Sequence, residues 1–334
     1  MFRCASFFAG VGGIDLGFEQ AGFDVVYANE ICKKASQTYK KNHQIRLDTR
    51  DIRDVKSDEI PDFDVMLAGF PCQAFSVAGY RQGFNDEKGR GNLYFELERI
   101  MKDKKPKLVF LENVKNLVGH DKGRTFRVIR RSMEDLGYKI HHRVMNACEY
   151  GNIPQNRERI YIVGFLDNGM SDCFRFPDEI QLETTIGEIF DFEERVDERY
   201  YYREDAYMYE DLKRDMTSIE TVYQWRRKYV RENKSNLCPT LTANMGTGGH
   251  NVPLILTSHG IRKLTPKECF MVQGFDRTFE LPTDVANSHL YKQAGNSVVV
   301  PVIRRIAISI MSAINLEEPA PNPKGIITLR DYHN

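Results

Sequence analysis

Residues 3–13 read RCASFFAGVGG, a short apolar run that leads into a turn rich in glycine. The segment IDLGFEQAGF (14–23) has the apolar spacing of a helix, and DVVYANE (24–30) then reads as a second strand that ends in an acid. A strand, a glycine turn, a helix and a second strand are typical of the first unit of a parallel α/β sheet. This stretch therefore predicts the fold class of the chain.

The same alternation continues to about residue 165. Further strands are predicted at 64–68, 107–111 and 159–165, with helical patterns at 93–102 and 125–136. We therefore expect an α/β fold with a Rossmann-like sheet, which binds its ligands beyond the carboxyl ends of the strands. Four residues with useful chemistry follow predicted strands, namely Gly10, Glu30, Cys72 and Glu112.

The composition is that of a soluble globular protein. The 334 residues carry 47 basic and 47 acidic side chains, so no net charge attracts the chain to nucleic acid, although a locally basic face is still allowed. The seven cysteines are scattered and form no CxxC pair, so we expect neither a disulfide framework nor a metal site. No apolar run approaches the ~20 residues of a membrane span, and a cytosolic location is the default expectation.

The character of the chain changes after about residue 170. Residues 183–260 are richer in tyrosine and charge, and the strand–helix alternation is lost. We expect a first domain at 1–174, a smaller domain at 175–261, and a C-terminal segment at 262–334. Within that segment, residues 298–314 are apolar at helical spacing and are expected to pack back on the first domain.

The glycine turn and Glu30 indicate a cofactor that contains a nucleoside. Glycines allow a tight turn and let a ligand approach the backbone beside a helix N-terminus. The turn matches the dinucleotide pattern GxGxxG only in part, because Asp15 stands at the third glycine position, so no pyrophosphate is required. An acid at the end of the next strand can accept ribose hydroxyls. S-adenosylmethionine fits this description, and a purely structural turn is the alternative.

The candidate catalytic residues are Cys72, Glu112, Arg157 and Arg159. Cys72 follows Pro71, which ends the preceding strand and places the thiol on a loop. A thiol attacks as thiolate, and a carboxyl group in the same crevice can share a proton with a ring nitrogen. Two arginines at period two point to one face of an extended chain and suit a carbonyl-rich or anionic ligand. Taken singly, these residues also fit a buried cysteine, a helix-capping acid and a surface salt bridge.

The order of short motifs resembles that of the DNA cytosine-5 methyltransferases. The chain contains, in the order of that family, FAGVGG (8–13), PCQ (71–73), ENV (112–114), QNRER (155–159), RKLTP (262–266) and QAGNSV (293–298). The resemblance covers about residues 3–312 and is weakest at 175–260, the region in which members of the family select different target sequences. It implies an S-adenosylmethionine-dependent methyltransferase fold with a smaller target-recognition domain.

The resemblance also implies a set of cofactor contacts. Phe8 would stack on the adenine, Glu30 would hold the ribose, and Asp51 would contact the adenine amino group. The expected cofactor residues are Phe8, Gly10, Val11, Gly13, Glu30, Ile31, Asp51, Ile52, Gly69, Pro71, Leu93, Asn296 and Val298. The last two belong to a motif that closes the cofactor pocket from the C-terminal end. Ser6 stands where many relatives carry Asp, and the resemblance assigns it no role.

For the reaction, the resemblance implies methyl transfer to C5 of cytosine in duplex DNA. Cys72 would add to C6 and make C5 nucleophilic, while Glu112 would pair with N3 and the exocyclic amine. Arg159 would hold the O2 carbonyl, and Arg157 would support the site. The base must first be extruded from the helix, which costs a few kcal/mol of pairing and stacking. S-adenosylhomocysteine is the expected second product.

Three segments are candidates for contact with DNA. Residues 77–91, after PCQ, are rich in glycine and basic residues and suit a mobile loop that closes over DNA. WRRKYVRENK (225–234) is expected to contact phosphates, although a solvated helix face explains the same charges. TLTANMGTGGHN (240–251) is the candidate for major-groove reading. The expected DNA-contacting residues are Ser76, Arg81, Arg227, Lys228, Asn244, Gly246 and Gly248.

The leading interpretation is a bacterial modification methyltransferase that acts on double-stranded DNA as a cytoplasmic monomer and is paired in function with a restriction endonuclease. An RNA cytosine methyltransferase with the same motifs is the first alternative, and the long variable region favours DNA. A catalytically silent DNA-binding relative is the second, against which the intact PCQ, ENV and QNRER argue. A nicotinamide-dependent oxidoreductase is the third, and the incomplete GxGxxG argues against it.

Overall fold

The computed structural model describes residues 1–71, 93–233, 235–247 and 250–315. These residues form two compact units. The first contains Met1–Met145, Glu158–Pro177 and the segment that begins at Ile303, and the second contains Asn146–Arg157 and Asp178–Val302. The second unit thus includes a short stretch that interrupts the first unit in sequence. The domain boundaries expected from the sequence, at 174/175 and 261/262, stay a prediction.

The structure contains strands and helices along the whole described chain. The strands are β1 (Arg3–Phe7), β2 (Asp24–Asn29), β3 (Leu47–Asp48), β4 (Val65–Ala68), β5 (Leu108–Val114), β6 (Lys139–Asn146), β7 (Gln155–Asn156), β8 (Glu158–Phe165), β9 (Tyr223–Trp225), β10 (Val230–Glu232), β11 (Cys238–Pro239), β12 (Leu254–Thr257) and β13 (Gly260–Lys263). The helices are α1 (Gly13–Glu19), α2 (Lys33–Asn42), α3 (Leu93–Lys104), α4 (Arg124–Asp135), α5 (Ala147–Tyr150), α6 (Asn168–Cys173), α7 (Ile186–Ile189), α8 (Tyr209–Asp215), α9 (Pro266–Val272), α10 (Asn287–Asn296) and α11 (Val300–Ile314).

A seven-stranded sheet in the order β3-β2-β1-β4-β5-β8-β6 is the centre of the first unit. The pairs from β3 to β5 are parallel, and β8 runs antiparallel to β5. Strand β4 is buried at every position, and β5 is buried until its last residue. Such continuous apolar strands are typical of a sheet covered on both faces. Helices α3 and α4 contribute apolar side chains to the same core cluster as these strands.

The predicted α/β class is confirmed, and the structure adds two features that the apolar pattern did not reveal. Strand β6 (KIHHRVMN) was not predicted because it has no apolar run; it lies at the sheet edge, where most of its residues are partly or fully exposed. The sheet is mixed rather than purely parallel because β8 is antiparallel to β5. In addition, β5 extends to Val114, so Glu112 lies within the strand and not after it.

The second unit contains a four-stranded sheet in the order β10-β9-β12-β13, whose pairs are antiparallel. One face of this sheet packs against α8 through a small cluster of buried side chains. The cluster consists of Met208, Leu212, Met216, Tyr223, Trp225, Leu254 and Ile261. Arg262 on β13 is fully buried and forms two hydrogen bonds, of 2.8 and 2.7 Å, with the carboxylate of Glu268 on α9. This pair joins the last strand of the unit to its next helix.

One helical stretch among the described residues, Asn287–Ile314, is long and apolar enough to cross a membrane. Of its most apolar window, 72% is buried inside the protein. Such burial is typical of a core helix. The predicted apolar helix at 298–314 is observed as α11.

Helix α1 approaches α11 closely at Gly17. A Cβ atom added there would lie 2.6 Å from Cγ2 of Ile303 and 3.0 Å from the backbone nitrogen of Arg304. We therefore expect Gly17→Ala to lower the free energy of unfolding by about 1–3 kcal/mol, the usual cost of overpacking. Urea denaturation measures this loss.

The matched control is Gly187→Ala. Gly187 also lies in a helix, α7, but an added Cβ would meet no atom within 4 Å. We expect this variant to be as stable as the wild type or more stable by up to about 1 kcal/mol. Equal stability of the two variants would contradict the assigned packing of α1 on α11.

Candidate active site and cofactor turn

The glycine turn lies between β1 and α1 and holds an unusual backbone. Phe8, Gly10 and Gly12 have φ angles of 54°, 59° and 87°, in the left-handed region. Glycine adopts this region freely, whereas a residue with a side chain is strained there by about 1 kcal/mol or more. A Cβ atom added at Gly10 would meet no atom within 4 Å. The turn therefore presents backbone to open space, which leaves room for a ligand.

Glu30, at the end of β2, lies against this turn. Its Oε2 accepts a hydrogen bond from the backbone nitrogen of Gly10 at 2.8 Å, and its Oε1 accepts one from Cys32 at 2.7 Å. Burial raises the pKa of Glu30, and the two backbone donors oppose that rise. The next residue, Ile31, leaves 56% of its surface exposed. The structure thus brings together a carboxylate, an exposed apolar side chain and an open turn.

Asp51 and Ile52 begin a single turn of 3₁₀-helix. The Asp51 carboxylate accepts hydrogen bonds from the backbone nitrogen and Nε of Arg53, at 3.0 and 2.9 Å. This guanidinium holds the pKa of Asp51 below its usual value. Ile52 is buried, and Phe8 and Leu93 pack partly buried against the same apolar core. A ligand contact by Asp51 therefore has to share the carboxylate with Arg53.

The end of β4 lies beside the catalytic candidate Glu112. Strands β4 and β5 are parallel neighbours in the register Ala68↔Leu111, so the chain after Ala68 runs next to Glu112. A Cβ atom at Gly69 would lie 3.6 Å from Oε2 of Glu112. Asn113 Nδ2 donates to the carbonyl of Phe70 at 2.8 Å and fixes the segment that leads to Pro71. From the sequence alone Asn113 has no assigned role, although its position in the ENV motif (112–114) could have suggested one.

Four predicted site residues lie outside the described residues. They are Cys72, Ser76, Arg81 and Gly248.

Glu112 and Arg159 form the ion pair at the centre of the candidate site. Arg159 Nε lies 3.1 Å from Oε1 of Glu112, and the two side chains keep only 13% and 11% of their surface exposed. The pairing follows from the antiparallel register Val114↔Arg159, which places the start of β8 beside the end of β5. A parallel β8 would have put Arg159 at the opposite edge of the sheet. An acceptor and a donor therefore stand side by side at this end of the sheet.

Arg157 belongs to the second unit and has different surroundings. It lies between β7 and β8, and its guanidinium is almost fully buried. Nη1 donates to the carbonyl of Leu241 at 2.7 Å, and Nη2 donates to the carbonyls of Gly295 and Ser297 at 3.1 and 2.5 Å. These contacts are those of a structural anchor, and the catalytic role expected for Arg157 stays a prediction.

The described part of the basic stretch, residues 225–233, belongs to a hairpin and not to a helix. Strands β9 and β10 pair antiparallel, and Arg227, at the turn between them, has a φ of 63°. Arg227 and Lys228 are both exposed on this turn. The alternative of a solvated helix face is therefore wrong in its geometry. The two side chains project from a compact hairpin, a shape that suits contact with a phosphate backbone.

The segment 243–247 is a turn of 3₁₀-helix that packs on α10 with backbone against backbone. A Cβ atom at Gly246 would lie 2.0 Å from the carbonyl oxygen of Ser288, and one at Gly295 would lie 2.1 Å from the carbonyl carbon of Thr242. Both positions therefore admit only glycine. We expected Gly246 to approach DNA, and the structure shows a packing reason for it. Asn244, in the same segment, is exposed.

Four predicted cofactor residues remain. Val11, in the glycine turn, and Gly13, at the start of α1, are buried. Asn296, the last residue of α10, is exposed, and Val298, which follows it, is buried. In the part of the chain that the structure describes, no group of three or more His, Cys, Asp or Glu side chains could hold a metal ion. The described chemistry is therefore that of carboxylates, guanidiniums and an open glycine turn.

Comparisons with known proteins agree with this geometry. A family model described as C-5 cytosine-specific DNA methylase matches residues 2–312. The Type II methyltransferase M.Bsp6I from Bacillus sp. (strain RFL6) is 60% identical over 316 residues, which are 94% of this chain and all of that protein. M.HhaI from Haemophilus parahaemolyticus is 38% identical over 328 residues, covering 94% of this chain and 96% of that protein.

The solved structure of the S. pombe Dnmt2 methyltransferase has the same fold. It superposes with a TM-score of 0.73 at 19% identity and covers 94% of this chain and 100% of that one. The family model spans far more than half of the chain, and two full-length relatives exceed 30% identity. The chain therefore belongs to the C-5 cytosine-specific DNA methylase family.

Proposed function

We propose that this enzyme methylates C5 of a cytosine extruded from a specific short duplex DNA sequence, through a covalent adduct between Cys72 and C6 of the base. The Glu112–Arg159 pair, 3.1 Å apart and mostly buried, is the observation that carries the proposal. A cytosine ring offers an exocyclic amine and N3 beside the O2 carbonyl. A carboxylate next to a guanidinium complements that edge.

In the proposed mechanism, the thiolate of Cys72 adds to C6, and the ring electrons that this addition releases make C5 nucleophilic. Glu112 favours protonated N3 as charge develops, and Arg159 donates to O2. After C5 has been methylated, loss of the C5 proton and departure of the thiolate restore the aromatic ring. Asn113 supports the geometry by holding the carbonyl of Phe70, two residues before Cys72.

The described residues fit S-adenosylmethionine as the methyl donor. The backbone at Gly10 faces open space, the Glu30 carboxylate lies next to it, and Ile31 is exposed beside both. A carboxylate suits the ribose hydroxyls, and an exposed apolar side chain suits an adenine face. When bound, this cofactor supplies a methyl group carried on a positively charged sulfur. The cofactor roles of Asp51, Ile52, Leu93, Asn296 and Val298 stay predictions.

Duplex DNA is the proposed substrate, with Arg227, Lys228 and Asn244 as contacts in the second unit. The exposed hairpin supplies two cations for phosphates, and Asn244 is exposed on the 243–247 segment. The curated relatives above carry the name Type II methyltransferase, which supports a role beside a restriction endonuclease in a bacterial cytoplasm. We propose that the enzyme acts as a monomer.

A methyl-transfer assay tests the proposal. The protein is incubated with methyl-labelled S-adenosylmethionine and either duplex DNA or tRNA, and the label is located. We expect label in DNA, on C5 of cytosine. Label in RNA alone would contradict the proposal, and so would near-normal turnover of Cys72→Ser.

Glu112→Gln tests the acid at the centre of the site. Glutamine cannot stabilise a protonated N3, so we expect the methyl-transfer rate to fall about 10²–10⁴-fold. The matched control is Glu158→Gln, which removes a half-exposed surface pair with Lys115 at 2.7 Å and leaves the Glu112–Arg159 pair intact. Initial rates of label transfer measure both, and equal rates for the two variants would argue against the role of Glu112.

Lysine substitutions distinguish the roles of Arg157 and Arg159, the two arginines of QNRER. Arg157→Lys cannot reach three carbonyls, so we expect the free energy of unfolding to fall by about 2–4 kcal/mol. Arg159→Lys keeps a cation beside Glu112, so it should cost less stability than Arg157→Lys but lower the methyl-transfer rate at least ~10-fold. Urea denaturation and initial rates measure the two effects, and the reverse pattern would exchange the assigned roles.

The raised pKa of Glu30 predicts a pH dependence of cofactor binding. Glu30 takes up its proton at a pH above the ordinary value of 4.5, because burial disfavours its charge. The neutral carboxyl accepts ribose hydroxyls less well, so affinity should fall as the pH is lowered through that raised pKa. Calorimetric titration with S-adenosylhomocysteine across the acid range measures it. Glu30→Gln should bind more weakly with no such slope, and an unchanged slope would exclude Glu30 as its origin.

A further inference from the structure

The glycine turn that is proposed to receive the cofactor needs support from its surroundings. Three of its five residues from Phe8 to Gly12 have a left-handed backbone, and one of these, Phe8, carries a side chain. Such a conformation persists only where neighbouring structure fixes it. In the first unit, side chains of α1, β1 and the region around α2 contact the turn or its ends.

His43 fills the space beside Gly12, the last residue of the turn. A Cβ atom on Gly12 would lie 2.0 Å from Nε2 of His43, so the imidazole occupies the place that a side chain would take. The ring is buried, stacks on Tyr39 with 4.3 Å between ring centroids, and places Nδ1 3.6 Å from Oε2 of Glu19. The stacked rings of Tyr39, in α2, and His43, directly after it, thereby support the turn.

Asp15 connects the two ends of the turn. Its carboxylate is fully buried and accepts hydrogen bonds from Ser6 Oγ at 2.5 Å and from the Tyr39 hydroxyl at 2.6 Å. Ser6 lies two residues before Phe8, at the end of β1, and Asp15 lies in the first turn of α1. The carboxylate therefore ties the strand that enters the turn to the helix that leaves it, and both to α2.

We propose that Asp15, together with Ser6, Tyr39 and His43, positions the glycine turn for S-adenosylmethionine. These four side chains are called the turn clamp. They are positioning residues, because none of them is assigned a contact with the cofactor. The inference rests on the proposed function, in which this turn receives the cofactor.

The turn clamp also gives Ser6 a role. The buried carboxylate comes from α1 and reaches β1 through the Ser6 hydroxyl. Burial raises the pKa of Asp15 above its ordinary value, and the nearby His43 and the two hydroxyl donors only partly offset that rise. A buried acid with donors on both sides is a directional link, which an apolar pair would not be.

Tyr39→Phe tests the turn clamp with the smallest change. It removes one donor to Asp15 and keeps the ring that stacks on His43. We expect the Kd for S-adenosylmethionine to rise about 3–10-fold, the size of effect expected from the loss of one buried hydrogen bond. The rate at saturating cofactor should stay within about twofold, so that KM changes and kcat does not.

The matched control is Tyr138→Phe. Tyr138 is also buried in the first unit, and its hydroxyl donates to the carbonyl of Pro106 at 2.8 Å. This variant loses a buried hydrogen bond of the same kind without touching the turn clamp, so its Kd should match the wild type. If the two variants bind the cofactor equally well, the inference is overturned.

Relocation of the carboxylate gives an independent test. Asp15→Ser should raise the Kd more than Tyr39→Phe does, and the double variant Ser6→Asp/Asp15→Ser should recover at least part of the loss. A double variant as weak as Asp15→Ser would show that the carboxylate is not the linking group. If the wild type itself binds no S-adenosylmethionine, the proposed function fails; if it binds and Tyr39→Phe binds equally, only the turn clamp fails.

Discussion

The antiparallel pairing of β8 with β5 is the constraint on which the candidate site depends. Strands that run parallel present their carboxyl ends at one edge, and that edge collects Gly10, Glu30 and the chain after Ala68. A strand that runs the other way brings its beginning to the same edge. Arg159 reaches Glu112 for this reason, and the register Val114↔Arg159 sets their separation. One reversed strand thus adds a cation to an edge that would otherwise offer carboxylates and backbone.

The candidate site and the turn clamp differ in how exposed their charged groups are. Glu112 and Arg159 pair with each other and keep a small exposed fraction, and Arg159 also donates to the carbonyl of Glu158. Asp15 is fully buried and accepts hydrogen bonds from Ser6 and Tyr39. Arg157 is almost fully buried and donates to three backbone carbonyls. The groups proposed to act on the base thus keep some contact with solvent, whereas the supporting groups are almost fully buried.

The sequence predicted what depends on local pattern. The β1–α1–β2 unit, the apolar strands and helices α3 and α4 appear close to their expected positions, because apolar periodicity and glycine placement are local signals. Strand β6 has no apolar run, and the direction of β8 is set by its partner, so neither could be read from spacing. The hydrogen bond from Ser6 to Asp15 spans the glycine turn, so it could not be predicted without the backbone conformation of that turn. Arg157 and Arg159 have different surroundings because β7 ends at Asn156 and β8 begins at Glu158. Their two-residue spacing in the sequence does not specify that break.

The packing of segment 243–247 on α10 separates the fold of the segment from the side chain that it exposes at Asn244. The contact is made between backbones, through Gly246 and Gly295. Asn244 is exposed next to that contact. Under the proposed contact of Asn244 with DNA, its substitution is expected to change that contact while the two glycines keep the segment folded. Two residues with no chemistry of their own would thereby leave the recognising side chain free to vary.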